Sequence, residues 1–421
     1  MYTGLKLTLK YGRSTRQLNI PGTSARVHLL ASGRSPPAAD GDALVRAALD
    51  QPIASAGLAD LARAGQTVSI ITSDITRPCP SHRLLPPVLE QLARVGVRDD
   101  DVTVVFGLGS HRPHTEAERS QLAGPAIHSR VRCVDSDPSA VERIGLTRRG
   151  TPVDIFRPVL EADLRICLGV IEYHFFVGYS GGHKALVPGV CGLETIQSNH
   201  RMMLAPGAVG GNRDGNPVRD DIDEAGAMVG CDFLLNVILD AEKRIVAAVA
   251  GDPLAAHKEG CARLDAFGRA EVPQPVDLVV VSAGGFPKDL NLYQAQKGLE
   301  NARLIVRPGG AILLLAECGE GFGHPTFERW MREADGPASI MDRLATHFVL
   351  GGHKAAAVAR AMYQATIYLV SALPADVVRG IGLRPYDCAQ RALDAALAQV
   401  GADATIAVIS EGSAVLPSLS P

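Results

Sequence analysis

The sequence predicts an α/β protein of two lobes with largely parallel sheets, and three observations lead there. Apolar, β-branched-rich runs of strand length recur along the chain, several alternate with amphipathic helical patterns, and glycine and proline gather directly after the strands. The 421 residues exceed what one core usually holds and suit two. Taken in order, residues 5–20 read as a β-hairpin turning at Gly12-Arg13-Ser14, and a polar, proline-containing stretch at 32–42 separates it from the first α/β unit. Strand-like runs follow at 67–72, 102–106, 164–170, 234–239, 277–282, 311–315, 366–370 and 405–409, with helical patterns at 84–95 and 386–400. The domain boundary is expected at 270–275, where Glu271-Val272-Pro273-Gln274-Pro275 breaks both periodicities. That gives an N-terminal domain over 1–272 carrying the site and a C-terminal domain over 276–402, with 403–421 available to complete the first.

Composition excludes several function classes. Lys plus Arg total 42 against 45 Asp plus Glu, so no basic surplus exists to hold a phosphate backbone and nucleic acid is not an expected partner. No apolar run approaches the roughly 18 residues that span a bilayer, and residues 1–16 alternate charged with apolar side chains where a signal peptide has an apolar core. A cytoplasmic protein without a membrane partner is expected. The eight cysteines contain no CxxC pair and read as reduced thiols, mostly in the core.

In open α/β sheets, ligands bind outside the carboxyl ends of the strands. Those positions are rich in functional groups here. Three runs end in Ser73-Asp74-Ile75-Thr76-Arg77-Pro78, in Gly107-Leu108-Gly109-Ser110-His111-Arg112-Pro113-His114 and in Ile171-Glu172-Tyr173-His174. A flexible glycine-rich loop from Gly178 to Gly192 contains Gly181-Gly182-His183-Lys184 and leads into a helix carrying Asn199 and His200. A Walker A loop needs Lys directly after Gly and before Ser or Thr, which Gly182-His183-Lys184-Ala185 does not provide, and no GxGxxG opens a helix after the first strand. A diffusible dinucleotide is therefore disfavoured. The second lobe repeats the pattern with Gly284-Gly285-Phe286-Pro287-Lys288-Asp289, leading into a helix on which Tyr293 and Lys297, four apart, share a face beside Gln294.

Bland readings stand beside these. Thr115 to Glu118 is a helix capping box, so His114 and Glu118 receive no role. His111-x-x-His114 lacks the third ligand of a helical zinc motif.

Together the ordered motifs Asp74-x-Thr76-Arg77-Pro78, Gly109-Ser110-His111-Arg112-Pro113, His174 with Gly178-x-Ser180-Gly181-Gly182-x-Lys184, Asn199-His200, and Gly285-x-Pro287-x-Asp289-x-Asn291-x-Tyr293-Gln294 with Lys297 resemble the nickel-dependent lactate racemase family. The motif Gly351-Gly352-His353-Lys354-Ala355 lies beyond them. The resemblance implies a nickel-pincer nucleotide attached covalently to Lys184, with Asp74 and Gly182 at the cofactor, and His200 as nickel ligand. It also implies His111 and His174 as catalytic histidines, and Arg77, Tyr293, Gln294 and Lys297 as substrate-binding groups, Arg77 and Lys297 polarising. It implies a site in the cleft between two domains, a small 2-hydroxy acid as substrate, and cofactor-synthesis proteins as maturation partners.

The chemistry suits these residue types. Direct deprotonation of a carbon beside a carboxylate meets a very high pKa, whereas transient oxidation to a planar 2-keto acid erases chirality when a hydride acceptor is at hand. Hydride leaves as the hydroxyl loses its proton, which calls for a base that titrates near neutrality, and two enantiomers can use one histidine each. A pyridoxal-phosphate racemase using Lys184 is one alternative class, which leaves the ordered histidines unexplained; a non-catalytic hydroxy-acid binding protein, retaining the cleft and the cations without reactive groups, is the other. Tyr173, Phe175, Phe176, Tyr179 and Tyr293 are the expected pocket lining, which favours a short uncharged side chain at C3 over a dicarboxylate unless Lys288 or Arg112 supplies a further cation.

Overall fold

A computed structural model describes residues 4–21, 26–30, 40–240, 242–346, 348–349, 351–412 and 415–420; most of the expected polar stretch 32–42 lies outside the described residues. The chain forms two compact units, Arg34–Phe267 and Met1–Gly33 together with Gly268–Pro421.

The unit Arg34–Phe267 is built on six strands, β1 Val68–Ser73, β2 Val102–Gly107, β3 Arg132–Asp135, β4 Leu164–Val170, β5 Phe233–Leu239 and β6 Ile245–Gly251. Their order across the sheet is β6-β5-β4-β1-β2-β3, parallel throughout except for β5 against β6. Strands covered on both faces need near-continuous apolar side chains, and β4 has them, with six of its seven residues buried. One face packs on the helix Ser81–Arg94, whose Leu84, Leu85, Val88 and Leu92 join Val68, Ile70, Val104 and Ile166 in one core. From β1 the chain builds outward through β2 to β3, then returns to place β4 on the opposite side of β1. The switch in direction between β1 and β4 opens a crevice at their carboxyl ends.

The second unit holds β7 Val276–Ser282, β8 Val306–Leu315, β9 Ala365–Val370, β10 Arg384–Tyr386 and β11 Ile406–Ile409, ordered β10-β9-β8-β7-β11 with the strand Val27–Leu30 at the edge, all parallel. Two expectations are corrected here. The strand expected at 405–409, β11, pairs with β7 instead of completing the first lobe, and residues 1–33 belong to this unit instead of to a 1–272 domain. The hairpin of Leu5–Tyr11 with Ser14–Ile20, turning through Gly12 at φ 53°, buries Leu9, Tyr11, Leu18 and Ile20 in the same core as Leu278, Leu313, Tyr368 and Leu393. That apolar face, and not proximity in sequence, decides where the segment goes. The chain crosses between units at Phe267 and Gly268, just ahead of the expected break. Among the described residues no helix is long and apolar enough to cross a membrane, and five of the eight cysteines are buried.

Candidate functional site

The crevice at the switch point collects the sequence-predicted groups of the first unit. Directly after β1, Asp74 is 2% exposed and both its oxygens are committed. Oδ1 accepts from the Thr76 N–H at 2.8 Å and the Thr76 hydroxyl at 2.6 Å, while Oδ2 takes a short contact from His111 Nδ1. Burial pushes this carboxyl up, but His111, Thr76 and Arg77 overcome it and hold it below the usual carboxylate range. An ionised Asp74 fixes the proton on His111 Nδ1 and leaves the Nε2 lone pair for chemistry, the arrangement that orients the base of a catalytic triad. The His111 side chain keeps 38% of its surface. Asp74, expected at the cofactor, is hydrogen-bonded to Thr76 and His111.

At the end of β4, Tyr173–His174 pairs antiparallel with Gly178–Tyr179, which turns the chain back over the crevice. His174 stacks on Phe175 at 5.3 Å and meets the edge of Phe176 at 4.7 Å, and Phe176 meets His200 at 5.0 Å. His200 stands near the end of the helix Leu193–Arg201, with its Nδ1 buried. Burial, then the charges of Lys184 and Arg77, push its imidazole down to about 3. Burial, then Arg77 and Arg219, likewise push the Lys184 amine well below the ordinary lysine range, against the pull of Glu172. Lys184, Arg77 and His200 therefore sense one another, and both the amine and the imidazole are pushed towards their uncharged forms.

The glycine-rich loop is not the flexible segment the sequence suggested. Its glycines serve close packing: a Cβ on Gly181 (φ 75°) would lie 2.5 Å from Asn236 Oδ1, and one on Gly182 (φ 62°) 2.9 Å from His257 Cγ. The Gly182 N–H donates to Asn236 Oδ1 at 2.8 Å. A buried polar layer that sequence reasoning missed grips the loop. Arg219, 1% exposed, donates to the Tyr179 carbonyl at 2.5 Å and pairs with Asp223 at 3.4 Å. Asp223 meets His183 Nδ1 at 3.2 Å, and His257 Nε2 donates to the Ser180 carbonyl at 2.8 Å. Arg219 and Asp223, four apart on the helix Pro217–Val229, read in sequence as an ordinary surface pair. The one available signal was Gly226, where any Cβ would strike His183 at 2.2 Å.

This layer has an acid signature. Burial pushes the Asp223 carboxyl up, but His183, Arg219 and His257 prevail and hold it at about 2, against about 3.9 in an unfolded chain. A depressed folded-state value contributes stability that is complete above the unfolded value and is lost as pH falls towards the folded one. Stability should drop by roughly 2 kcal/mol between about pH 4 and about pH 2 from this group alone. Denaturant unfolding at stepped pH should show Asp223→Asn less stable at pH 7 and with that part of the acid slope removed; an unchanged slope would mean that Asp223 is not the group responsible.

Two expected pocket residues are buried. Tyr179 is buried, with its hydroxyl on Asp265 at 2.7 Å, and Phe176 is buried as well. Tyr173 shares Asp265 at 3.0 Å. These hydroxyls serve the loop's architecture. In the other unit, Tyr293, Gln294 and Lys297 stand on the helix Leu292–Arg303, capped by Asn291 whose side chain accepts from the Gln294 N–H at 3.1 Å. Tyr293 stacks on His324 at 5.2 Å, and Lys297 is exposed. Thr115 and Glu118 form the expected capping box, and Glu118 also takes both guanidinium nitrogens of Arg112 at 2.6 and 2.8 Å. His111 and His114 have separate carboxylates, Asp74 and Asp135, and among the described residues no three metal-ligating side chains cluster.

Comparison with known proteins gives the family and the fold. Residues 11–211 match the family model described as lactate racemase N-terminal domain, and residues 272–416 the lactate racemase C-terminal domain. Lactate racemase of Lactiplantibacillus plantarum is 34% identical over 385 residues, covering 88% of this chain and 90% of that protein. Lactate racemase of Thermoanaerobacterium thermosaccharolyticum is 34% identical over 306 residues, 72% of this chain and 71% of that one. The lactate racemase apoprotein structure from the latter organism superposes with a TM-score of 0.91 at 30% identity, over 98% of this chain and 100% of that one. A Thermotoga maritima protein shares the fold at 18% identity and a TM-score of 0.65, over 93% of this chain and 100% of that one.

Proposed function

Because the chain belongs to the lactate racemase family and is an isomerase, we propose that it racemises a short-chain 2-hydroxy acid, lactate or a close relative, using a nickel-pincer nucleotide. The observation that carries this reading is the company of Lys184, His200 and Arg77 at the switch point: an amine and an imidazole, both pushed down by burial, within electrostatic reach of each other and of a guanidinium.

The residues present fit the cofactor. A lysine amine whose pKa is pushed down gives up its proton more readily and exposes the lone pair a covalent link requires, and a neutral His200 imidazole suits nickel. With no cluster of three ligating side chains among the described residues, a nickel ion here would draw its other donors from a ligand that brings its own, as a pincer does. When bound, that group supplies a reversible hydride acceptor.

The chain's own part is binding and proton transfer. Arg77, exposed beside Asp74, offers a permanent planar charge to the substrate carboxylate or carbonyl oxygen. His111, aligned by Asp74, accepts the hydroxyl proton of one enantiomer, and His174 serves the other. Lys297, exposed on its own unit, is assigned the second substrate cation, with Tyr293 and Gln294 beside it. Arg112 is paired with Glu118, and Lys288 with Glu411 at 3.4 Å. Neither is left over for a second carboxylate, which supports a short uncharged C3 group over a dicarboxylate. Loading by cofactor-synthesis proteins in the cytoplasm completes the proposal.

The test uses holoprotein made beside the cofactor-synthesis genes and D-lactate deuterated at C2. Racemisation should retain the deuterium and show a primary isotope effect, since hydride returns before it meets solvent. Washout of deuterium into water would overturn the hydride route in favour of deprotonation.

A further inference from the structure

His114, which the sequence reads as an incidental residue of a capping box, occupies a built position. Its side chain is 1% exposed. Asp135, the last residue of β3, grips it twice: Oδ1 lies 2.6 Å from the ring Nδ1, and Oδ2 accepts the His114 backbone N–H at 2.7 Å. Arg119 closes the arrangement, donating to Asp135 Oδ2 at 3.3 Å and to the His114 carbonyl at 3.2 Å. Phe106 packs edge-on against the ring at 5.6 Å and 85°. At the far side, the Ile75 N–H donates to His114 Nε2 at 3.1 Å. An atom that accepts from an amide carries no proton, so the ring proton is on Nδ1 and points to Asp135.

Ile75 sits between Asp74 and Thr76-Arg77. Its amide is thus the point at which the loop carrying the base-orienting carboxylate and the substrate cation is fastened to the neighbouring strands. We propose that His114, aligned by Asp135, is a positioning residue for the racemisation: through the Ile75 amide it fixes the Asp74–Arg77 loop, and hence the aim of His111 and Arg77. Three adjacent strand ends supply the parts, Ile75 after β1, His114 after β2 and Asp135 closing β3, so the chain from Asp135 to the substrate groups is short and stiff. The proposal rests on the function assigned above, because the importance of the loop's aim follows from the roles given to His111 and Arg77.

Two substitutions separate positioning from packing. In His114→Gln the side-chain oxygen reaches to where Nε2 stood and still accepts from the Ile75 amide. In His114→Asn the shorter amide keeps the hold on Asp135 and leaves that N–H unmet. We expect the two variants to melt at similar temperatures, while kcat/KM in holoprotein stays within about 3-fold of wild type for Gln and falls about 10- to 100-fold for Asn, the scale of a small misplacement of catalytic groups. Hydrogen exchange at Ile75, measured on the full chain, should quicken in Asn and not in Gln. Equal activity in the two variants, or activity that follows melting temperature alone, would overturn the proposal. If either variant fails to fold, Asp135→Asn takes its place: its amide can donate to Nδ1 and drive the ring proton to Nε2, so fast Ile75 exchange in a folded protein is expected and slow exchange is a refutation. Wild-type holoprotein that racemises neither lactate nor another short-chain 2-hydroxy acid would sink the assigned function, whereas Ile75 exchange would still decide whether His114 holds the loop.

Discussion

Replacing Lys184 with alanine is expected to remove a nucleotide-sized covalent adduct altogether, and racemisation with it, while the protein stays folded. The physical reason is the amine's environment. A lysine at its ordinary pKa is almost wholly protonated at neutral pH and has no lone pair to offer, whereas burial together with Arg77 and Arg219 pushes Lys184 down and eases the loss of its proton. Removing a desolvated amine beside two guanidinium groups costs the fold little. Lys184→Arg should fail as fully as alanine, because a guanidinium stays charged where an ammonium does not. Intact mass and melting temperature of variants co-produced with the cofactor-synthesis genes decide the matter: an undiminished adduct on either variant would move the attachment elsewhere. Arg219→Met offers a graded control, since it removes a buried charge from near Lys184 without touching the amine.

What the sequence disclosed, and what it withheld, divides along physical lines. Strands such as Leu164–Val170 announce themselves because a parallel strand buried on both faces has to be apolar along its length. The candidate groups Asp74, His111 and His174 were found by the same logic, for the ends of such strands are where chemistry can reach solvent. Which sheet Ile406–Ile409 joins was not legible: all four residues are buried, so no alternation marks a face or a partner. Asn236, Asp223, His257 and Asp265 escaped notice because they act on the glycine-rich loop across 40 to 86 residues of chain, a relation that spacing does not encode. The loop itself shows the ambiguity of glycine. The same absence of a Cβ that permits flexibility also permits Asn236 and His257 to press against the backbone, and only the packing tells the two apart.

The second large effect is expected at His111 and His174. Each should, when replaced by alanine, lower turnover by about 10²- to 10⁴-fold in both directions, since a full inversion removes a proton from one enantiomer's hydroxyl and returns one to the other's. Steady-state rates therefore cannot distinguish the two histidines, and a single-turnover experiment has to. His111 is held through Nδ1 by the ionised Asp74 carboxylate, so its free Nε2 serves whichever enantiomer directs its hydroxyl towards the Asp74–Arg77 loop. With His111→Ala that enantiomer should no longer yield 2-keto acid on the enzyme, while the other, served by His174, still should; with His174→Ala the pattern should reverse. Asp74→Asn should reproduce the His111 phenotype, because an amide at that position can donate to Nδ1 and leave Nε2 protonated and unable to accept a proton. Rapid quench with each pure enantiomer reads the outcome. Loss of both half-reactions in either histidine variant would mean that one imidazole handles both hydroxyls and the other has a binding role, and wild-type racemisation by either variant would take that residue out of the chemistry.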